Sequence, residues 1–394
     1  MQKLSVHSLR SKAQQGQLLG LYCHVPFCKT TCDFCAFYQE KPRGDAVDRY
    51  LKGVAGELRL LGLPSDSERG ELLFWGGGTP GLLAPRDLER LGQTVLQSSS
   101  VPQEWTVEMA PSTVTEEKVQ VLRDLGVTRI SLGVQSFDSR HLEALGRQDS
   151  LRQTYRAYER VCSGGFDNIN IDLIFGAPGQ QLADWRKDLA AALALEPTHI
   201  STYCLTFEED TALWLKLARG QVQRNVDQEA SFYEMTWEVL QAAGFEQYEV
   251  SNFARPGYEC LHNINIWRMG QWVGLGPSAA SQFEGWRFTN PASLDDWLRG
   301  IKQGHLQRME VHEVSHAILV ADALIFGLRM NEGVDLGILE QRFGRLSNRR
   351  LLAALFEEWQ DQGLAVIEGQ KVRVSDKGRL IVDALAVAIL QRFP

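Results

Sequence analysis

Residues 18–37 read LLGLYCHVPFCKTTCDFCAF, an apolar run that passes directly into a loop with three closely spaced cysteines. The run LLGLYCHV (18–25) predicts a buried strand, because it is short, continuous and apolar. Apolar residues at helical spacing over 46–61 predict a helix behind it. The same pair of signals then repeats, so the fold can be inferred by working outward from this first strand.

Five more strand-like runs follow, each with helical sequence behind it. The predicted strands cover 71–77, 104–110, 129–136, 168–175 and 199–205, and the predicted helices cover 85–98, 114–125, 139–163, 181–195 and 227–243. Six βα units in series predict a parallel α/β sheet with right-handed crossovers, either an open doubly wound sheet or a barrel. We favour a partial (β/α)6 barrel over 18–245, because polar residues and glycines end nearly every strand, where barrel enzymes build their sites.

Outside the barrel region the periodic pattern is absent or different. Residues 1–17 are predicted to be an N-terminal extension, 246–310 an irregular connecting segment, and 311–394 a small helical domain. Its helices and a hairpin near 365–375 resemble a winged-helix module, a fold that often binds DNA. However, 331–394 holds nine basic and nine acidic residues, so the positive surplus that phosphate binding needs is absent. A packing or docking role is the better prediction for this domain.

The composition is that of a globular protein with a modest acidic balance. The 394 residues include 41 Lys and Arg against 49 Asp and Glu, a net charge of −8, which does not favour nucleic acid as a partner. No apolar run reaches the ~20 residues of a membrane span, and no apolar signal core opens the chain. We therefore expect a cytoplasmic protein without a transmembrane segment, for which peripheral contact with a membrane stays possible. The odd number of cysteines, seven, favours metal binding over a disulfide framework.

Cys28, Cys32 and Cys35 lie in the loop after the first predicted strand. A structural zinc site would need a fourth ligand, which His24 or Cys23 could supply only from a strand where neighbouring side chains point to opposite faces. An iron–sulfur cluster explains three thiolates better. Three cysteines can bind three irons of a [4Fe–4S] cluster and leave the fourth iron open for another ligand.

The stretch YCHVPFCKTTCDFCAF (22–37) resembles the signature of the radical S-adenosylmethionine (SAM) superfamily. The resemblance lies in the branch that contains oxygen-independent coproporphyrinogen III oxidase and heme chaperones, and it covers nearly the whole chain. It implies a radical SAM barrel whose three cysteines hold a [4Fe–4S] cluster. It also implies that the open iron binds SAM, which is cleaved with an electron from a reductant such as flavodoxin or ferredoxin.

The resemblance further assigns nine residues to SAM binding, which lie in the predicted strands or in the sequence that follows them. They are Tyr22, Phe34, Gly77, Gly78, Thr79, Glu108, Gln135, Arg147 and Asp172. Gly77, Gly78 and Thr79 would contact the methionine end of SAM, and Glu108 the ribose. Phe34, Gln135, Arg147 and Asp172 match positions that hold a second SAM in the oxidase branch. A tight turn at the glycines and a structural Arg147–Asp172 ion pair are the alternatives.

Two further features separate the branches. Phe37 stands where the oxidase pattern has a fourth cysteine, and CLHNINIW (260–267) resembles an H-N-x-x-Y-W signature of the chaperone branch, with Ile266 replacing the tyrosine. By this resemblance His262 would hold heme, since a neutral imidazole is a common axial ligand of heme iron. Cys260 is a second candidate ligand, and Trp267 and Trp272 could form an apolar wall for a porphyrin.

The sequence therefore predicts a radical SAM-type heme chaperone that binds a [4Fe–4S] cluster, SAM and heme, and transfers heme to acceptor proteins. Two enzymes of the same superfamily are the alternatives. One is an oxygen-independent coproporphyrinogen III oxidase, which decarboxylates two propionate side chains in porphyrin metabolism. The other is a class C methyltransferase that uses two SAM molecules.

Overall fold

Six neighbouring parallel strands form the centre of the fold. In the computed structural model, which describes residues 18–63, 71–98, 101–346 and 348–393, they are β1 (Leu19–Val25), β2 (Glu71–Gly77), β3 (Glu104–Met109), β4 (Arg129–Gln135), β5 (Ile169–Phe175) and β6 (His199–Cys204). They pair in chain order, which confirms the predicted partial (β/α)6 barrel. The predicted N-terminal extension, 1–17, lies outside the described residues.

Helices connect these strands and pack on the outer face of the sheet. They are α1 (Ala46–Leu61), α2 (Pro85–Leu96), α3 (Glu116–Leu125), α4 (Ser139–Ala144), α5 (Leu151–Ser163), α6 (Leu182–Leu193), α7 (Ala212–Ala218) and α8 (Val226–Ala242). The single helix predicted over 139–163 is in fact two, because Gly146 adopts a left-handed backbone conformation with φ 70°. This break creates the loop that carries Arg147. Helix α7 was not predicted.

The segment after residue 245 is more regular than the irregular connection that the sequence predicts. It contains β7 (Glu246–Gln247), β8 (Asn252–Ala254), α9 (Leu261–Trp267), β9 (Gln271–Leu275), β10 (Ala280–Phe283), β11 (Trp286–Thr289), α10 (Leu294–Lys302) and β12 (Met309–Glu313). Strands β9 to β12 extend the sheet beyond β1, and β8 and β7 extend it beyond β6. Strands of two to five residues are too short to show a period in the sequence.

The C-terminal region forms a second core of its own. Its elements are α11 (His316–Arg329), β13 (Val334–Asp335), α12 (Leu336–Phe343), α13 (Arg349–Asp361), β14 (Ala365–Glu368), β15 (Lys371–Val374), α14 (Asp376–Arg379) and α15 (Val382–Leu390). The strands form a small sheet in the order β13, β15, β14, so helices packed on a hairpin agree with the winged-helix-like prediction. None of the helices described here has the length and apolarity that crossing a membrane requires.

Candidate cluster and cofactor site at the mouth of the barrel

A cavity of about 690 Å³ opens where β1 to β6 end, and Cys28, Cys32 and Cys35 line one side of it. The three cysteines are half-buried and carry free thiols. Their sulfurs do not all lie within 4.8 Å of one another, in contrast to what a single metal ion requires. Two thiolates on one zinc ion are about 3.8 Å apart, from Zn–S bonds of about 2.3 Å in a tetrahedron. This condition does not apply to a [4Fe–4S] cluster, because each thiolate then binds a different iron.

The environment of the thiols distinguishes the loop cysteines from Cys23. Burial raises the pKa of Cys28 and Cys35, while the nearby Arg147 guanidinium acts in the opposite direction on both pKa values. Cys23 faces the helical side of β1, where its Sγ lies 3.2 Å from the Tyr50 hydroxyl and burial raises its pKa to about 12. The Nε2 atom of His24 lies 2.9 Å from the Tyr38 carbonyl oxygen. Neither residue lines the cavity.

The glycine turn after β2 docks directly on the cysteine loop. The amide of Gly78 donates to the Val25 carbonyl oxygen at 2.9 Å, and the amide of Thr79 donates to that of Phe27 at 2.8 Å. A Cβ atom at Gly78 would lie 2.6 Å from the Val25 oxygen. The turn therefore needs glycine for this loop contact, independently of any ligand. The Thr79 hydroxyl also lies 3.5 Å from the Cys28 sulfur.

Two of the carboxyl groups that line the cavity belong to the central strands, one to β3 and one to β5. Burial and the nearby Asp172 raise the pKa of Glu108 to about 8, so this group keeps its proton at neutral pH. Burial also raises the pKa of Asp172, whose oxygens accept from Ser131 Oγ at 3.0 Å and Asn170 Nδ2 at 2.8 Å. The alternative Arg147–Asp172 ion pair does not form.

Arg147 instead pairs with a carboxylate two residues along its own loop. Its Nη2 lies 2.8 Å from Asp149 Oδ2 and donates to the Gly133 carbonyl oxygen at 2.7 Å. This pair forms within one loop and does not involve the strand residue Asp172, while Arg147 Nε is buried without a hydrogen-bond partner.

The cavity brings together eight of the nine residues that the resemblance assigned to SAM. They are Phe34, Gly77, Gly78, Thr79, Glu108, Gln135, Arg147 and Asp172. Gln135 adopts φ 70°, which is uncommon for a residue other than glycine and is often found at functional sites. Tyr22 lies outside the cavity lining, with its hydroxyl 3.2 Å from His24 Nδ1 and its ring beside Phe74.

Five lining residues at the end of β6 and directly after it were not predicted from the sequence. These lining residues are Tyr203, Cys204, Leu205, Thr206 and Glu208. The available signal was their position, since all of them end or follow the sixth predicted strand. The carboxyl end of every barrel strand faces the same mouth.

His262 lies at the opposite, closed end of the barrel. It belongs to α9, which packs against β2, β9 and α11. Glu104, the first residue of β3, accepts hydrogen bonds from the amides of Leu261 at 2.9 Å and His262 at 3.1 Å. The His262 side chain is only 3% exposed, and burial lowers its pKa to about 4. Its ring lies 5.1 Å from that of Phe74, and its Nδ1 is buried without a hydrogen-bond partner.

The other candidate residues for the heme site also make contacts within the protein. The Cys260 sulfur is buried and lies 3.5 Å from the Glu104 carboxylate. The Trp267 ring contacts Phe326 of α11 at 5.6 Å, and Trp272 Nε1 donates to the Ala280 carbonyl oxygen at 3.1 Å. Helix α9 is therefore anchored to the barrel through Glu104 at its start and to the C-terminal region through Trp267 at its end.

Comparison with known proteins identifies the group to which this chain belongs. Residues 22–192 match the radical SAM superfamily, and 314–381 match the HemN C-terminal domain. The chain is 32% identical to the heme chaperone HemW of Lactococcus lactis over 91% of this chain and 93% of that protein. It is 31% identical to HemW of Bacillus subtilis over 94% of this chain and 98% of that protein. The chain belongs to the HemW family of radical SAM proteins.

The chain is also similar to a mitochondrial protein, and its fold has a solved counterpart. The bovine mitochondrial radical SAM domain-containing protein 1 is 32% identical over 97% of this chain and 90% of its own length. The structure of coproporphyrinogen III oxidase (HemN) from Escherichia coli superposes with a TM-score of 0.82, covering 98% of this chain and 92% of that one. At 22% identity, this likeness establishes the shared fold.

Radical SAM proteins use a [4Fe–4S] cluster and SAM, and membership in the superfamily gives these cofactors to this HemW-family chain. The cavity fits them. Its lining contains three thiols, the glycine turn that contacts their loop, and the carboxyl groups of Glu108 and Asp172. Its volume of about 690 Å³ lies within the range of cofactor pockets, about 300–1,000 Å³.

Proposed function

We propose that this protein is a heme chaperone, which binds a [4Fe–4S] cluster and SAM at the barrel mouth and binds heme for transfer to acceptor proteins. The observation that carries the proposal is the match over more than 90% of the chain to relatives named heme chaperone HemW. Phe37 supports it from the structure. This side chain is 68% exposed beside the cysteine loop, at the position where the oxidase pattern has a fourth cysteine.

The proposed ligands of three irons are Cys28, Cys32 and Cys35, because all three line the cavity. Cys23 and His24 do not line it and form hydrogen bonds with other parts of the protein. When bound, the cluster supplies the electron for reductive cleavage of SAM. The chain positions SAM for this chemistry. Because Gly77 and Gly78 have no side chains, the methionine end of SAM can approach the backbone of the turn closely.

The SAM-binding roles of the other cavity residues follow from their positions. Glu108, protonated at neutral pH, can donate a hydrogen bond to a ribose oxygen as well as accept one. Phe34, Gln135, Arg147 and Asp172 line the remainder of the cavity and are the proposed contacts to a second SAM. Tyr22 is proposed to lie near the first SAM by the resemblance, and its side chain is outside the cavity lining.

His262 is the proposed heme ligand, and the structure sets a condition on that role. Its imidazole is neutral at physiological pH and has an unpaired buried Nδ1, as a ligand nitrogen requires. A porphyrin is too large to reach a side chain that is 3% exposed between the barrel strands and α9. Heme ligation by His262 therefore requires α9 to move away from the base of the barrel.

Oxidation of coproporphyrinogen III is the second candidate function. Gln135, Arg147 and Asp172 favour it, because they keep room at the mouth for a second SAM that a heme carrier does not evidently need. The same observation supports a class C methyltransferase.

An anaerobic assay separates these functions. Reconstituted full-length protein is given reductant and SAM, together with either heme or coproporphyrinogen III. Stable heme binding without porphyrin turnover, followed by loss of heme to an acceptor apoprotein, is the expected result. Formation of protoporphyrinogen would instead establish the oxidase. Methylated porphyrin or another methylated product would support the methyltransferase.

The remaining partners are proposed from the same chemistry. A low-potential donor such as flavodoxin or ferredoxin would reduce the cluster. The seven cysteines are all free, which fits a reducing compartment, so we propose the cytoplasm as the location. Heme-accepting proteins, including ones reached by peripheral contact with a membrane, complete the proposed set.

A further inference from the structure

Arg147 is directed at a sulfur of the cysteine loop. Its Nη1 lies 3.6 Å from Cys32 Sγ, while Nη2 contacts the Gly133 carbonyl oxygen and Asp149. Its side chain is only 12% exposed, so water screens the charge weakly. The guanidinium therefore lies between the cysteine loop and β4, and its Nη1 faces the Cys32 sulfur.

The distance between Arg147 and Cys32 is set by the backbone on both sides. The amide of Asp33 donates to the Leu145 carbonyl oxygen at 3.0 Å, which fastens the cysteine loop to the loop of Arg147. A Cβ atom at Gly146 would lie 2.8 Å from the Asp33 nitrogen, so the two loops pack without space for a side chain. The other side is anchored as well, because the amide of Ser112 donates to Asp149 at 2.9 Å.

We propose that Arg147 is a positioning residue that sets the reduction potential of the cluster through the Cys32 sulfur. One-electron reduction adds one negative charge to the cluster, with the electron coming from a low-potential donor. A hydrogen bond and a positive charge beside a ligand sulfur stabilise the more negative state and raise the reduction potential. Asp149, paired with Arg147, opposes this effect. The inference rests on the proposed cluster ligands.

This role differs from contact with a second SAM, which the sequence resemblance assigns to the same residue. A contact to SAM changes properties only when SAM is present. An interaction with Cys32 Sγ changes the cluster in the absence of SAM. Because Arg147 and Asp149 form one pair, removing each partner should shift the potential in opposite directions.

The test is a redox titration of the reconstituted full-length protein, followed by electron paramagnetic resonance of the reduced cluster without SAM. Arg147→Met should lower the reduced-to-oxidised ratio at a fixed potential about tenfold, which corresponds to a midpoint about 59 mV lower for one electron. Asp149→Asn, which keeps an oxygen for the Ser112 amide, should raise the midpoint. Arg147→Lys keeps the charge without the planar fork and should fall between Arg147→Met and the wild type.

Three outcomes bear on the inference in different ways. Opposite shifts in Arg147→Met and Asp149→Asn without SAM support it. Unchanged midpoints without SAM, with weaker SAM binding in Arg147→Met, overturn it in favour of a SAM contact. If Arg147→Met assembles no cluster, Asp149→Asn decides alone, and an unchanged or lower midpoint overturns the inference. A wild-type protein that holds no [4Fe–4S] cluster would contradict the proposed function instead.

Discussion

Replacing Glu104 by Gln tests whether α9 controls access to His262. The Glu104 carboxylate accepts two backbone hydrogen bonds at the start of α9, at 2.9 and 3.1 Å. Gln keeps one acceptor oxygen and loses the other, so one charge-assisted bond is removed. Such a bond contributes about 1.5–3 kcal/mol. We therefore expect the displaced state of α9 to become about 10–100 times more populated, at 1.4 kcal/mol for each factor of ten.

The expected effect on heme binding follows from this population. If only the displaced state exposes His262, the apparent Kd equals the intrinsic Kd divided by the population of that state. Glu104→Gln should then tighten heme binding about 10–100-fold while lowering the stability of the protein. Absorbance titration of the Soret band with ferric heme measures the first effect, and urea unfolding measures the second.

Two further variants make this result specific. Glu249 is another buried carboxylate, 1% exposed, that accepts from the Ser251 amide away from α9. Glu249→Gln should leave heme binding unchanged. Adding His262→Ala to Glu104→Gln should remove the gain. An unchanged or weaker heme affinity in a destabilised Glu104→Gln variant would refute control of heme access by α9.

Three more predictions concern the mouth of the barrel. Cys35→Ala should lose the brown chromophore and most of the iron, whereas Cys23→Ala should keep both; equal iron content in the two variants would contradict the ligand assignment. The ordinary pKa of Glu108 is 4.5, and its pKa in the folded protein is about 8. Between these pH values the folded state keeps a proton that the unfolded state releases. The free energy of unfolding of the wild type should therefore fall relative to that of Glu108→Gln as the pH rises through this range. Unfolding midpoints at pH 5 and pH 8 measure this, and parallel profiles would exclude the shifted carboxyl. Gly78→Ala should reduce iron per chain because its Cβ meets the Val25 oxygen. Gly44→Ala strains a backbone with φ 55° but brings its Cβ within 4 Å of no atom, so it should retain iron. Equal iron in these two variants would show that the glycine turn does not support the cysteine loop.

The buried strands of the barrel could be predicted because each is a continuous apolar run between glycine-rich corners. The predicted first strand, 18–25, differs from β1 by one residue, and the second, 71–77, matches β2. Both faces of these strands are covered, so their composition alone carries the signal. Strands β9 to β12, which extend the sheet beyond β1, lack this signal, because pairing with β1 and with one another defines them.

The surroundings of His262 and Arg147 could not be predicted, for a different reason. Glu104 holds the start of α9, although it lies 158 residues before His262 in the chain. A helix of seven residues has no period that would reveal which side it buries. Nothing in the sequence indicates that Arg147 pairs with Asp149 rather than with Asp172, because the conformation of its loop decides between them. Sequence indicates the chemistry of such residues, and tertiary contacts decide their partners.

Strand β2 connects the two ends of the barrel, and this suggests how SAM and heme could influence each other. Phe74 contacts His262 at the base, and four residues later Gly78 docks on the cysteine loop. At about 3.3 Å per residue, these contacts are about 13 Å apart along one strand. If displacement of α9 shifts β2, SAM should change the apparent Kd for heme, and heme must change the Kd for SAM by the same factor. Measuring both affinities tests this connection, because equal affinities with and without the other ligand would show that the mouth and the base act independently.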